Sequence, residues 1–202
     1  MLVGRKALLK ALTPLLALVM ASPALAQDAA TTAIVMFDSV CLTCHEGECS
    51  GRMALRTERG SEGLAGHVAG YVGRQDEVMV SRLKGLMSQL KTECRLPPPP
   101  VALPADGIWD GASLAPLTLA DRQRLFVPLG PLNPGTHSTS LRQDEPQRLR
   151  LQVVADSFDI VFDQDSTVGP TGTRIHWQVE EPGQYFLRII GRRPVGTLRI
   201  SP

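Results

Sequence analysis

The chain runs to 202 residues with 21 Lys and Arg against 20 Asp and Glu, a formal net charge of +1. That balance excludes the electrostatic case for nucleic-acid binding, which needs a clear basic excess. Only four cysteines and four histidines are present, so any metal or redox chemistry is confined to a few positions.

Arg5, Lys6 and Lys10 precede an apolar run from Ala11 to Met20, and "ASPALA", residues 21 to 26, supplies the small residues that a signal peptidase reads. This layout predicts a secretory signal peptide over residues 1–26, cleaved between Ala26 and Gln27. The apolar run is short for a stable membrane span. Without residues 1–26, 18 basic residues face 20 acidic ones, a net charge of −2. Export, periplasmic in a bacterium, places the cysteines in an oxidising compartment, where disulfides form and persist.

Residues 27–96 contain every cysteine and read as a small, mainly helical unit. A short helix is expected from Thr31 to Val40, delivering the chain to Cys41. "GRMALRTERGSEGLAGHVAGYVGR", rich in glycine and charge, reads as a loop with one apolar knot from Leu64 to Val72. Between Gln75 and Lys91, Met79, Leu83, Leu86, Met87 and Leu90 recur at steps of three and four, the period of one helix face, with Arg82, Lys84 and Lys91 largely on the other. A methionine-bearing stripe of this kind is core packing before it is a ligand set.

Residues 97–106 form a proline-rich linker. Pro97 to Pro100 withhold backbone donors and favour an extended polyproline spacer. Over residues 107–202 the period changes to two. "RLRLQVV" (148–154), "FDIVF" (158–162), "RIHWQV" (174–179), "QYFLRII" (184–190) and "GTLRI" (196–200) are short alternating runs, with "EEPG" and "GRRPVG" as turns, and they predict an antiparallel β-sandwich. Leu114–Leu119 and Leu125–Leu129 are weaker strand candidates. The fold class is therefore α+β in two units.

The chemistry concentrates in "CLTCHEGECS", residues 41 to 50. Cys41-Leu42-Thr43-Cys44-His45 is the C-x-x-C-H spacing of c-type haem attachment. Two thiols on one helical turn can each form a thioether with a haem vinyl group, and the next residue, His45, then faces the iron as proximal ligand. Other uses of these cysteines fit less well. Thioredoxin-like exchange needs a strand before Cys41 that is not there. The spacing C-x2-C-x4-C-x44-C matches no common zinc layout. If haem takes Cys41 and Cys44, Cys49 and Cys94 remain as a pair. A disulfide between them would close a loop of 45 positions, stabilising by roughly 3–4 kcal/mol on the chain-entropy account.

The residues leave the sixth iron ligand open between His67, a methionine and an unfilled position. His137 reads as a loop residue, and His176 is out of phase with Ile175 and Trp177. His67 lies in the apolar knot, 22 positions after His45, and leads the candidates. Met53 follows His45 too closely to reach the far side, whereas Met79 and Met87 on the long helix compete.

"CLTCHEGECS" followed by "GHVAGYV" resembles bacterial cytochromes of the doubled C-x-x-C-H type, in which a histidine follows in a G/S-H-P-x-G setting. Gly66, His67 and Gly70 match that setting and Val68 replaces the proline; the chain has one haem motif where that family has pairs. The resemblance covers residues 38–75 and implies bis-histidine ligation by His45 and His67 with an electron-transfer role. "EEPGQYFLRIIGRRPVGTLRIS" resembles the pre-peptidase C-terminal type of β-sandwich module, which implies an interaction or stability role without catalytic residues.

The expectation is an exported monohaem c-type cytochrome, an electron carrier rather than an enzyme, with one covalent haem c per chain. Its partners would be redox proteins, other haem proteins or a second copy meeting at an exposed haem edge, with no nucleic acid and no stable membrane span. Two alternatives come from other classes: a haem sensor or catalyst with an open sixth position, and a disulfide-stapled adhesion or assembly module without haem.

Overall fold

A computed structural model describes residues 24–43, 57–73, 76–119, 123–192, 195 and 198–201. Among these, three longer helices precede the proline run and seven strands follow it.

Helix α1 spans Ala24–Ser39 and passes directly into a 3-10 turn, Cys41–Thr43. It begins earlier than the expected start at Thr31. From Ala33 to Val40 every residue is buried, Asp38 and Ser39 included. A helix buried all round must be covered on more than one side. One neighbour is α3, Glu77–Glu93, which contributes the expected stripe of Met79, Leu83, Leu86 and Leu90. The Asp76 side chain caps α3 by accepting from the Met79 amide at 2.9 Å, which satisfies one of the orphan donors of a helix start.

The segment expected as a loop with an apolar knot contains helix α2, Thr57–Val72. Its glycines lower the intrinsic propensity by up to about 1 kcal/mol each. Leu64 and Val68, one turn apart and both buried, provide the packing that overrides this. α2 packs against α3 and stops at Gly73, whose φ of 75° suits the left-handed helix end and whose amide reaches the Ala69 carbonyl at 2.9 Å.

The strands are β1 (Arg124–Leu132), β2 (Gly135–Gln143), β3 (Gln147–Ala155), β4 (Ile160–Val168), β5 (Thr173–Val179), β6 (Gly183–Gly191) and β7 (Leu198–Ser201). They pair antiparallel in two sheets, ordered β1-β6-β3-β4 and β5-β2-β7. Ile175, Trp177 and Val179 are buried on β5 while His176 is exposed, the alternation expected of a sheet with one wet face.

Three local expectations are corrected. Leu114–Leu119 is not a strand: α4 (Gly111–Leu114) and a 3-10 turn (Ala115–Leu117) occupy it, and only Thr118 makes a bridge, to Leu125. Phe158 lies outside β4 in a turn, with φ of 77° and its amide bonded to the Ala155 carbonyl. β2 was missed because "GTHSTSLRQ" alternates small polar residues, which carry no hydrophobic period; His137 therefore sits on a strand and not in a loop.

The four-stranded sheet is covered on both faces over β1, β6 and the end of β3, whereas Arg148 and Arg150 of β3 and most of β4 stay exposed. Across β1, β6 and β3, Val127, Leu187 and Val153 form one row, and Leu125, Ile189 and Leu151 the next. These point into the sandwich. The rows between them, Phe126, Arg188 and Gln152, and then Pro128, Phe186 and Val154, point outward and are buried as well. Phe126 and Phe186 stack there with ring centroids 4.8 Å apart. α1 packs on β1 and β6 and closes this outer face. The molecule thus has three layers, helices, four-stranded sheet and three-stranded sheet, joined in a continuous core.

The chain is held to the sandwich where it enters the proline-rich stretch. Leu96 is buried and its amide bonds the Asp156 carbonyl at 2.8 Å, Arg95 pairs with the Asp156 carboxylate at 3.3 Å, and Pro99 is buried. Segments 27–96 and 107–202 differ in secondary structure, but they share their packing.

Candidate functional site

Cys41 opens the 3-10 turn that follows α1 and is half-buried against the core. Cys44, His45 and Cys49, and with them Met53, lie outside the described residues. Cys94 caps the C-terminus of α3 in the left-handed conformation, φ 54°, with its amide on the Leu90 carbonyl at 2.9 Å. It is disulfide-bonded. Its expected partner, Cys49, falls among the residues not described.

α3 packs against both α1, which leads to Cys41, and α2, which carries His67. His67 is exposed, in contrast to its apolar neighbours Leu64 and Val68. Around it Gly63, Gly66 and Gly70 are exposed, and a Cβ placed on any of the three would meet nothing within 4 Å. One turn on from His67, the exposed Tyr71 ring lies under the Arg124 guanidinium of β1 at 5.9 Å. A cation over an aromatic face at this distance is attractive by about 0.5–1 kcal/mol, and it ties the end of α2 to the sheet. Of the competing methionines, Met79 is buried in the core and Met87 is half-buried against it.

The last turn of α1 carries a group that the sequence reading passed over. Asp38, three positions before Cys41, is completely buried, and neither carboxylate oxygen has a hydrogen-bond partner. Burial pushes its carboxyl up to about 8, against the pull of the Arg188 guanidinium. Arg188 stands on the covered outer face of β6, and burial lowers its affinity for a proton from the usual arginine value. One of its terminal nitrogens donates to Gln152 at 3.1 Å, while its Nε has no partner. Gln152 in turn donates to Asp163 at 3.0 Å, and Asp163 accepts two bonds from Arg150 at 2.6 and 2.9 Å. A polar line therefore runs from solvent at Arg150 and Asp163, through Gln152 and Arg188, toward Asp38 under the start of the C-x-x-C-H motif. The available signal was a single charge inside each of two apolar runs, "IVMFDSV" and "YFLRII".

At the other side of the sandwich a cleft of about 270 Å³ is lined by both tryptophans, Trp109 and Trp177, together with His137, Thr139 and Ser201. His137 stacks on Trp177 with centroids 6.2 Å apart and bonds the Asn133 carbonyl through Nε2 at 2.8 Å. His176 is exposed on the neighbouring strand. Among the described residues no group of three or more His, Cys, Asp or Glu side chains is placed to hold a metal ion. Among them, too, no helix is long and apolar enough to cross a membrane.

No family model matches the chain, and no curated protein matches it. A solved structure described as "CBM4 structure and function" is similar over 41% of this chain and 63% of its own, at 13% identity and a TM-score of 0.29. This chain thus spans less than two thirds of that structure. A likeness at this TM-score is local and leaves the reading of the site to its own residues.

Proposed function

We propose that the protein is an exported monohaem c-type cytochrome that carries electrons. The observation that carries this reading is the C-x-x-C-H spacing of Cys41, Cys44 and His45, which begins where α1 ends. The surface of α2 supports it. A porphyrin is flat and wide, and an imidazole on a helix can reach the iron only where neighbouring side chains leave room. Exposed His67 between Gly63, Gly66 and Gly70 offers that room, since the space a Cβ would occupy is open at all three.

Each residue has a defined task in this reading. Cys41 and Cys44 would hold haem c through thioethers, which would prevent its loss outside the cytoplasm. His45 and His67 would be the residues that ligate its iron. The bound haem supplies one-electron chemistry. Cys94, locked at the end of α3 by its disulfide, fixes the helix that packs on both α1 and α2.

The test is expression into the periplasm of a host with competent haem-attachment machinery. The protein is expected to be pink, to show a Soret band, and to keep its haem through acid extraction. A low-spin spectrum should become high-spin in His67→Ala. A colourless product overturns the reading and leaves the disulfide-stapled module. A wild-type protein that is already high-spin favours the open-site alternative, and a low-spin His67→Ala moves the sixth ligand to methionine.

A further inference from the structure

The molecule keeps one carboxyl fully out of water with no hydrogen-bond partner, and it does so on the helix that leads to Cys41. Buried polar groups in folded proteins are nearly always paired, so an exception calls for an explanation. Serving only as core packing, position 38 would be more stable as an apolar residue of similar size.

We propose that Asp38 is a proton-binding site coupled to the redox centre, taking a proton from solvent when the centre is reduced and returning it on oxidation. The inference rests on the monohaem reading above. On reduction a one-electron donor, a reduced redox protein, supplies the electron, and the Asp38 carboxylate forms an O–H bond with a solvent proton. On oxidation the O–H bond breaks, the proton returns to solvent and the electron leaves to an acceptor. One charge of each sign enters and leaves together, so the buried region keeps its net charge, which a low-dielectric interior favours. Asp38 binds its proton less tightly beside an oxidised centre, which is one charge more positive, and more tightly beside a reduced one.

The surroundings of Asp38 suit this coupling. α1 packs against α3, β1, β6 and the two 3-10 turns. α3 presents apolar residues to it, and β1 presents Phe126 and Pro128 from the same outer face, its Arg124 being held over Tyr71. Cys41 follows on the adjoining turn. β6 presents Arg188, the charged group that acts on Asp38, with Arg150 and Asp163 behind it. A carboxyl ordinarily titrates too far into acid to respond near neutral pH. Burial brings this one to about 8, where a shift in either direction is felt.

The experiment measures the reduction potential of the holoprotein through the pH range on either side of about 8. The expected result is a potential that falls with rising pH at a slope of one proton per electron inside a window and is flat outside it. Asp38→Asn should abolish the slope, and the reduced-minus-oxidised infrared spectrum should lose a protonated-carboxyl band in that variant. Arg188→Gln should move the window to higher pH, because the positive charge that eases ionisation is gone. This second variant decides the matter if Asp38→Asn fails to fold. A coloured protein with a flat potential overturns the inference alone, as does a slope that survives in Asp38→Asn or a window that stays in place in Arg188→Gln. A colourless protein overturns the function and the inference with it.

Discussion

At the scale of single residues, Asp38 makes stability depend on pH in an unusual direction. Its carboxyl is near the model-peptide value of 3.8 in the unfolded chain and about 8 in the folded one. Between these values the folded chain retains a proton that the unfolded chain has released, so stability falls as pH rises from about 4 to about 8. Asp163 works in the opposite sense. Its bond to Arg150 holds it below the ordinary carboxylate range, so its contribution is present at neutral pH and is lost as acid is added. Chemical denaturation at mildly acidic and mildly alkaline pH should therefore give a lower midpoint at the alkaline end for the wild type. Asp38→Asn should flatten the dependence and raise the alkaline midpoint. A wild-type midpoint that rises toward alkaline pH would contradict the burial of a lone carboxyl at this position.

At the scale of elements, α2 and β2 show where local pattern fails. α2 has only two buried apolar residues in its described part, Leu64 and Val68, among several glycines, so composition argues for a loop. Packing against α3 supplies what propensity withholds. β2 has the period of a strand written in serine and threonine, visible only once β5 and β7 pair with it. His67 was legible as a candidate, but its exposure was not, because that depends on which face of α2 meets α3. The glycines give a test. Gly66→Ala should stabilise the fold by about 0.5–1 kcal/mol, since the added Cβ meets nothing and helix propensity improves. Gly66→Leu should leave the circular dichroism intact and lower the fraction of chains with a low-spin haem spectrum. An unchanged spectrum in Gly66→Leu would remove this face of α2 from the site.

At the scale of the whole molecule, the covered outer face of β1, β6 and β3 couples the helices to the sandwich. Phe126, Phe186 and Val154 are buried there, and α1 is the element that packs on β1 and β6 at that face. Neither α1 nor this face of the sheet can remain dry without the other. Equilibrium unfolding followed by tryptophan fluorescence, which reports Trp109 and Trp177 of the sandwich region, should coincide with unfolding followed by far-ultraviolet helical signal. Two separated transitions would show the helical part and the sandwich to be independent after all.

Sequence alone was enough for the stripe of α3, the change from a helical to an alternating period beyond the prolines, and most of the strands. Each of these is a relation between near neighbours, and local backbone geometry translates it directly into structure. It also held a quieter signal in β6, where Tyr185 to Ile189 are buried without alternation, the mark of a strand covered on both faces. Tertiary structure alone decided what covers it. Asp38 and Arg188 stand 150 positions apart, and no period or spacing relates them. They share an environment because α1 closes the outer face of the sheet, and the low dielectric created there turns an ordinary aspartate into one that titrates near neutral pH.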